Sequence, residues 1–451
     1  MNVSRREALR LAAVSALFAG GAGALAACSS SSSTPSAKGT GSSGGPVTLN
    51  LWTWTGAPGA SQVAAVIAGY KKLHPNVTIN NNTINNDDYK TKAQLALDSN
   101  QAIDIIAVQP NLFASQVQSK LLPLSQWQSF LPAGTLSKYT PLSLTQIKKL
   151  FTGGETYAVP WAVSGSAAGF YNVALLEKAG LSEPPKTWDD MRTLADGLKS
   201  KAPGTAVAVM PAGSTDGWFL DEFTLTLVGQ SDPNFFDTVR YDNGKWDTPA
   251  YVAALTELQS LYTTGALDKN VLDLGYTDAE DLFYKGKSAI LFNGSWESGD
   301  LSASYRAANK INISNVGAMG VPTSDGSAPS LRSFLDITLG IPKTCKNVEV
   351  AADFIAYTTA GDGVPLWANS LGEIPALNGW SPASSALATP QAVQGYALLQ
   401  DLIAHPHSDR NNLSAFSSQV GVRIESMLNN GVSPSATAAA CQSDLDSGKY
   451  T

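Results

Sequence analysis

The chain is short of the residues that carry most reaction chemistry. Of 451 residues only three are histidine and three cysteine. His74 precedes Pro75 at an expected helix end, and His405 and His407 fall in the run HPHSD, which reads as an exposed loop. Two histidines beside one aspartate hold at most an adventitious metal, so no metal and no other cofactor is expected. Three cysteines are few for a secreted protein, which excludes a disulfide-stapled scaffold. Charged residues make up 15% of the chain, the net charge is −7, and no basic cluster appears, which argues against nucleic-acid binding. Phosphate-loop and nucleophile motifs are absent in any meaningful context. GKS at Gly286–Ser288 lacks the glycine five positions earlier, where Asp281 stands. GTGSSG (Gly39–Gly44) and GSSGG (Gly41–Gly45) match a dinucleotide loop and a nucleophile elbow only in form, because neither follows a strand or opens a helix. A glycosidase would need two carboxyls about 5–10 Å apart, and no motif among the 37 acids announces such a pair.

The first segment has a different logic. SRREALR carries Arg5, Arg6 and Arg10 against Glu7, and the 17 residues Leu11–Ala27 are small or apolar. That run is shorter than the roughly 20 residues a bilayer span needs. A basic start, a short apolar middle and small residues before a cut site describe a secretory signal over residues 1–27. LAAC resembles a bacterial lipobox, which implies lipidation of Cys28. SRREALR resembles a twin-arginine (Tat) export signal, with Ala8 where phenylalanine is common. From Ser29 to Gly45 every residue but Lys38 is Ser, Thr, Pro, Ala or Gly, so residues 28–46 read as a flexible tether reaching on the order of 20–25 Å. The chain is thus expected outside the cell, lipid-anchored to the outer face of the cytoplasmic membrane. Removing a +2 signal leaves a body of net charge −9. Export makes a bridge between Cys345 and Cys441 possible; two separate buried thiols are the equal alternative.

After the tether, strand-like and helix-like runs alternate. VTLNLWTW (Val47–Trp54) reads as a buried strand, ASQVAAVIAGYKKLHP as a helix stopped by Pro75, NVTIN as a strand, YKTKAQLALDS as a helix and DIIAV as a third strand. This βαβ rhythm predicts an α/β fold with a mainly parallel sheet. In YAVPWAVSGSAAGFYNVALLEKAGLSEPPKTWDDM (Tyr157–Met191), Asn172 can cap a short helix ending at Gly180, and Thr187 with Asp190 forms a capping-box-like start.

The same run resembles the extracellular solute-binding proteins of ABC importers, in the maltose-binding-protein-like branch that takes carbohydrates. The resemblance rests on a Pro, an apolar strand, Tyr-Asn, a helix ending Lys-Ala-Gly and then Pro-Pro-Lys-Thr-Trp-Asp. FYKGKSAILFNGSW (Phe283–Trp296), LGIPKTCKNVEVAADFIAYTT (Leu339–Thr359) and SLGEIPALNG agree in register, so the likeness covers about residues 47–380. It implies two discontinuous α/β lobes joined by a multi-strand hinge, the type II periplasmic-binding-protein fold. Lobe 1 would be 47–160 plus 323–367 and lobe 2 would be 161–322 plus 368–451, with crossings near Pro160–Val163, Pro322 and Trp367. It also implies a monomeric receptor that hands a carbohydrate to membrane permease subunits and has no catalytic residues.

Open α/β sheets bind ligands beyond the carboxyl ends of their strands. That selects Trp54, Gln109, Asn111, Trp161, Ser164, Asn293 and Trp296, with Asp336 and Glu373 at the crossing side and Asp104 supporting the cleft from a strand start. Sugars suit such a set, because an indole takes the apolar C–H face while carboxyls and amides take the hydroxyls. Three of Trp54, Trp161, Trp218, Trp296 and Trp367 are expected to touch ligand, whereas Trp188 is expected only to pack. Nothing selects Trp127, Trp246 or Trp380. The rival class is a lipid-anchored carbohydrate-active enzyme. Narrower rivals keep the receptor but change its ligand to a polyol, a sugar phosphate or a peptide. A phosphate would call for arginine, and the body has Arg192, Arg240, Arg306, Arg332, Arg410 and Arg423, of which Arg332 lies near a crossing.

Overall fold

The computed structural model describes residues 45–54, 58–213, 216–404, 410–411 and 413–450. The signal, Cys28, nearly all of the tether, His405 and His407 lie outside the described residues.

Nine strands form one sheet. They are β1 (Val47–Trp54), β2 (Val77–Ile84), β3 (Ile105–Val108), β4 (Ala158–Asn172), β5 (Ala206–Val209), β6 (Ser288–Gly294), β7 (Val316–Met319), β8 (Arg332–Gly340) and β9 (Ile374–Pro375). The order is β2-β1-β3-β8-β4-β6-β5, with β7 and β9 also pairing with β4. The first three strands and the helices Ala60–Leu73 and Asn86–Asp98 between them lie where the hydrophobic rhythm puts them. The expectation of a mainly parallel sheet is corrected. Only β1–β2, β1–β3 and β5–β6 are parallel, while β8 pairs antiparallel with β3 and β4, and β6, β7 and β9 pair antiparallel with β4. A βαβ connection dictates direction only between neighbours in sequence. The middle of this sheet joins segments far apart in the chain.

β4 organises that middle. All 15 of its residues are buried, so the strand shows no alternation of inward apolar and outward polar residues, and its few polar side chains, Ser164, Ser166 and Asn172, are buried too. Residues 158–166 pair with β8 on one side and, at Ala162 and Val163, with β9 on the other. Ser166 already pairs with β6 as well, and from Ala168 onward the strand runs beside β6 on one side and pairs with β7 from Gly169 on the other. The neighbours change around a bulge at Ala167, which shifts the register of the β6 ladder between Ser166 and Ala168 and whose φ is +63°. A left-handed alanine costs roughly 1–2 kcal/mol, and the two ladders it connects hold it there.

Two hydrophobic cores fill the body. One gathers Leu49, Val66, Ile105, Leu339 and Phe354 around β1, β3 and β8. The other gathers Leu194, Phe219, Leu258, Phe292 and Ile424 around β5 and β6. Trp246, fully buried, anchors the second core with its ring 4.9 Å from Phe416 and 5.4 Å from Tyr251. Cys345 belongs to the first core and Cys441 to the second, and both are free thiols, so the bridge considered from sequence is not formed.

Local signals are obeyed closely. Asn172 caps Val173–Ala179 by accepting from the Leu175 N–H at 3.4 Å, and the helix stops at Gly180 with φ +105°. Thr187 and Asp190 form a reciprocal capping box on Trp188–Lys201. No helix among the described residues is long and apolar enough to cross a membrane.

Candidate functional site

Three strands and one turn bring four polar side chains to a single point. Ser164 on β4 lies opposite Phe334 on β8, and Asp336 follows two residues later on the same face of β8. Gln109 comes directly after β3, whose Val108 pairs with Thr338 of β8. Glu373 comes directly before β9, whose Ile374 pairs with Val163 of β4. Gln109 Nε2 donates to Asp336 Oδ1 at 2.5 Å. The Ser164 hydroxyl lies 3.1 Å from Asp336 Oδ2 and 2.9 Å from Glu373 Oε2.

Chemistry assigns the protons. A hydroxyl has one hydrogen, so Ser164 donates to one carboxylate, and the second carboxyl bonds to Ser164 only by donating its own proton. Burial, and then the neighbouring Asp336, hold Glu373 well above the usual carboxylate range. Burial also raises Asp336, but Gln109, the Arg410 cation and Ser164 hold it back. Burial raises both carboxyls, and the neighbouring charge that lifts Glu373 further, while Gln109, Arg410 and Ser164 hold Asp336 back, favours Glu373 as the one that donates to Ser164. Such a chain offers both donors and acceptors to a ligand.

A second cluster lies at the end of β6. Asn293 Nδ2 donates to Glu297 Oε1 at 2.9 Å, and the phenols of Tyr276 and Tyr284 donate to the same carboxyl at 3.0 and 2.8 Å. Burial raises Glu297, and burial together with Glu297 pushes Glu280 up to about 10. The charge of Glu297 is felt at Glu373, and the Ser295 hydroxyl takes the Gly165 N–H at 2.9 Å, tying this cluster to β4 beside Ser164. Asn293 Oδ1 is buried without a protein partner.

Aromatic rings flank these groups. Trp218 begins the helix Gly217–Gly229 and lies 6.4 Å from Trp296 at 45°. Trp296 donates its indole N–H to the Tyr276 oxygen at 2.5 Å. The Arg410 guanidinium sits 4.7 Å from the Trp218 ring centre and 5.2 Å from that of Phe334.

The other sequence candidates separate cleanly. Trp54 closes β1, buried 5.0 Å from Tyr89, whose phenol is held by the Ala107 carbonyl at 2.6 Å. Asp104, just before β3, accepts the Asn50 N–H of β1 at 2.8 Å. Asn111 is buried two residues beyond Gln109 with neither amide atom satisfied by protein. Trp161 and Trp367 lie inside the first core, each 1% exposed, packed edge to face at 5.9 Å. Trp367 sits in the short helix Val364–Ala368 with its indole N–H on the Thr358 carbonyl. Arg332, the arginine singled out near a crossing, is buried with its guanidinium over Phe236, and Arg410 takes the place at the site instead. Sequence reasoning missed Glu297, Tyr276, Tyr284, Phe334 and Arg410. Glu297 follows Trp296 directly and was within reach of the motif. Arg410 adjoins the HPHSD run and carries no local signal. Among the described residues no group of three His, Cys, Asp or Glu could hold a metal ion.

Comparison with known proteins bears on the family and the fold. Residues 54–363 match the bacterial extracellular solute-binding protein family. An uncharacterised ABC transporter extracellular-binding protein of Pyrococcus horikoshii is 26% identical over 261 residues, 56% of this chain and 58% of that one. The chain thus spans little more than half the length of that curated relative. Among solved structures, maltose-bound MalE3 of T. maritima superposes with a TM-score of 0.70 at 18% identity, covering 89% of this chain and 99% of the other. The cyclic alpha-maltosyl-1,6-maltose binding protein of Arthrobacter globiformis gives 0.70 at 20% identity, covering 89% and 99%. These likenesses establish the two-lobed fold. With more than half its length matching the family, the chain belongs to the bacterial extracellular solute-binding proteins and is a binding protein, not an enzyme.

Proposed function

We propose that this chain is the substrate-binding lipoprotein of an ABC importer, capturing a sugar or small oligosaccharide and delivering it to a membrane permease. The observation that carries the reading is the convergence of Gln109, Ser164, Asp336 and Glu373 beside the rings of Trp218 and Phe334. A pyranose presents one apolar face and a rim of hydroxyls, and this combination answers both. Structurally similar proteins support it: one is maltose-bound, one is a cyclic alpha-maltosyl-1,6-maltose binding protein and one a chitin oligosaccharide binding protein. The similarity to an ABC transporter extracellular-binding protein of Pyrococcus horikoshii supports the importer role.

Lobe 1 (47–160 plus 323–367) and lobe 2 (161–322 plus 368–451) close on the ligand by hinge motion. Ligand shifts the population toward the closed form because only that form lets both lobes touch it. The closed monomer then docks on the permease. Cys28 carries the lipid, and the Ser/Gly-rich segment gives the body reach from the outer face of the membrane.

A thermal-shift screen of the purified protein across sugars tests the reading. A bound sugar at 100 times its Kd adds about 2.7 kcal/mol of stability, and Trp218→Ala removes most of that gain. If no carbohydrate raises the melting temperature, or if the sugar is recovered chemically changed, the reading is wrong.

A further inference from the structure

We infer that Arg410 is a specificity-determining residue of the site, a built-in competitor that a sugar must displace from the ring faces of Trp218 and Phe334. The inference rests on the carbohydrate reading above. A guanidinium 4.7 Å and 5.2 Å from two ring centres covers the faces a pyranose would stack on. Its charge also acts on Asp336, the carboxyl bonded to Gln109 and Ser164, so the same cation bears on both the aromatic and the polar half of the recognition surface.

The seat of Arg410 is built by the helix that carries Trp218. Asp221 and Glu222 lie three and four residues after Trp218 and so share its side of the helix. The Asn411 N–H bonds to Glu222 Oε1 at 3.1 Å, and its amide Nδ2 bonds to Asp221 Oδ2 at 2.8 Å. Ser417 bonds to the same Asp221 oxygen at 2.7 Å. All four of these residues are buried. The chain next to Arg410 is therefore clipped to the turn that presents the indole, which holds the guanidinium over the ring. A neutral sugar that stacks there forfeits the cation–ring contacts and leaves Asp336 without its cation. Asn411 acts through Arg410 and is a positioning residue.

Isothermal titration of the wild type, Arg410→Ala and Asn411→Ala with the best neutral sugar from the screen tests the inference. Arg410→Ala is expected to bind about three- to thirtyfold tighter, with Asn411→Ala between it and the wild type. A melting curve confirms that each variant is folded. The ligand-free emission of Arg410→Ala should also shift relative to wild type, and the shift should vanish in a Trp218→Phe background. Unchanged or weaker binding by Arg410→Ala overturns the inference while leaving the sugar reading intact. No binding by any of the three proteins overturns the reading and the inference together.

Discussion

Asp221→Asn should turn a buried charge into a measurable pH dependence of stability. Asp221 is fully buried. One of its oxygens accepts from Asn411 and Ser417, and the other has no protein partner. Burial, and then adjacent Glu222, raise it from 3.8 to about 7, with Ser417, Asn411 and Arg332 pulling the other way. Cys441 and Tyr251 also face it. Because the folded value lies above the unfolded one, the contribution is fully present below about pH 4 and is lost as pH rises to about 7. At 1.36 kcal/mol per pH unit the total is about 4 kcal/mol, of which about 3 kcal/mol falls between pH 4.5 and 8. At about 2.1 cal/mol/K per residue, a body of this size changes its melting temperature by about 1 °C per kcal/mol. Asparagine keeps the carbonyl that Asn411 and Ser417 need. Its amide replaces the partnerless oxygen, at an offset of about 1–3 kcal/mol that does not vary with pH. The assay is calorimetric melting of both proteins from pH 4.5 to 8. The variant's melting temperature should gain on the wild type by about 3–4 °C across that range. Parallel curves would refute the argument, because they would mean Asp221 binds no more protons folded than unfolded.

Three further outcomes follow from particular contacts. Glu373→Gln should retain ligand affinity within a few-fold, since its amide can donate to Ser164 as the protonated acid does, whereas Asp336→Asn sets amide against amide at Gln109 and should weaken binding tenfold or more by titration; equal effects would contradict the proton assignment. Gly421→Ala puts a Cβ 2.1 Å from the Gly217 carbonyl oxygen, so it should lower the urea midpoint by the equivalent of about 3 kcal/mol and disturb Trp218 emission; a neutral result would mean the two helices separate freely. Thr187→Ala removes a capping box and should cost about 1 kcal/mol in the same assay while leaving ligand affinity unchanged.

The parts of the site differ in how far they can be read in advance. Gln109 and Glu373 adjoin strand ends, which are visible as changes in hydrophobic pattern, whereas Ser164 and Asp336 lie inside β4 and β8 as polar residues in otherwise apolar runs. Their meeting depends on β3, β8, β4 and β9 lying side by side, a pairing no local pattern encodes. Trp161 and Trp367 show the converse. An indole beside a crossing strand reads the same whether it faces solvent or core, and both rings here are buried against each other. Arg410 reaches the site only because buried Asp221 and Glu222 hold Asn411 against the Trp218 helix.

What the sequence determined by itself was local. Asn172, Gly180 and the Thr187–Asp190 pair end and start helices through bonds within three or four residues. The apolar runs become strands because nothing else buries them, and the linked motifs fix the family. Only the tertiary structure decided that β4 changes neighbours around Ala167, that the middle of the sheet runs antiparallel, and that the two cysteines lie in separate cores. It also decided that Asp336 and Glu373 meet at one hydroxyl, that of Ser164. Each of these depends on groups distant in the chain brought within hydrogen-bond or packing range, where burial and neighbouring charge set the energies.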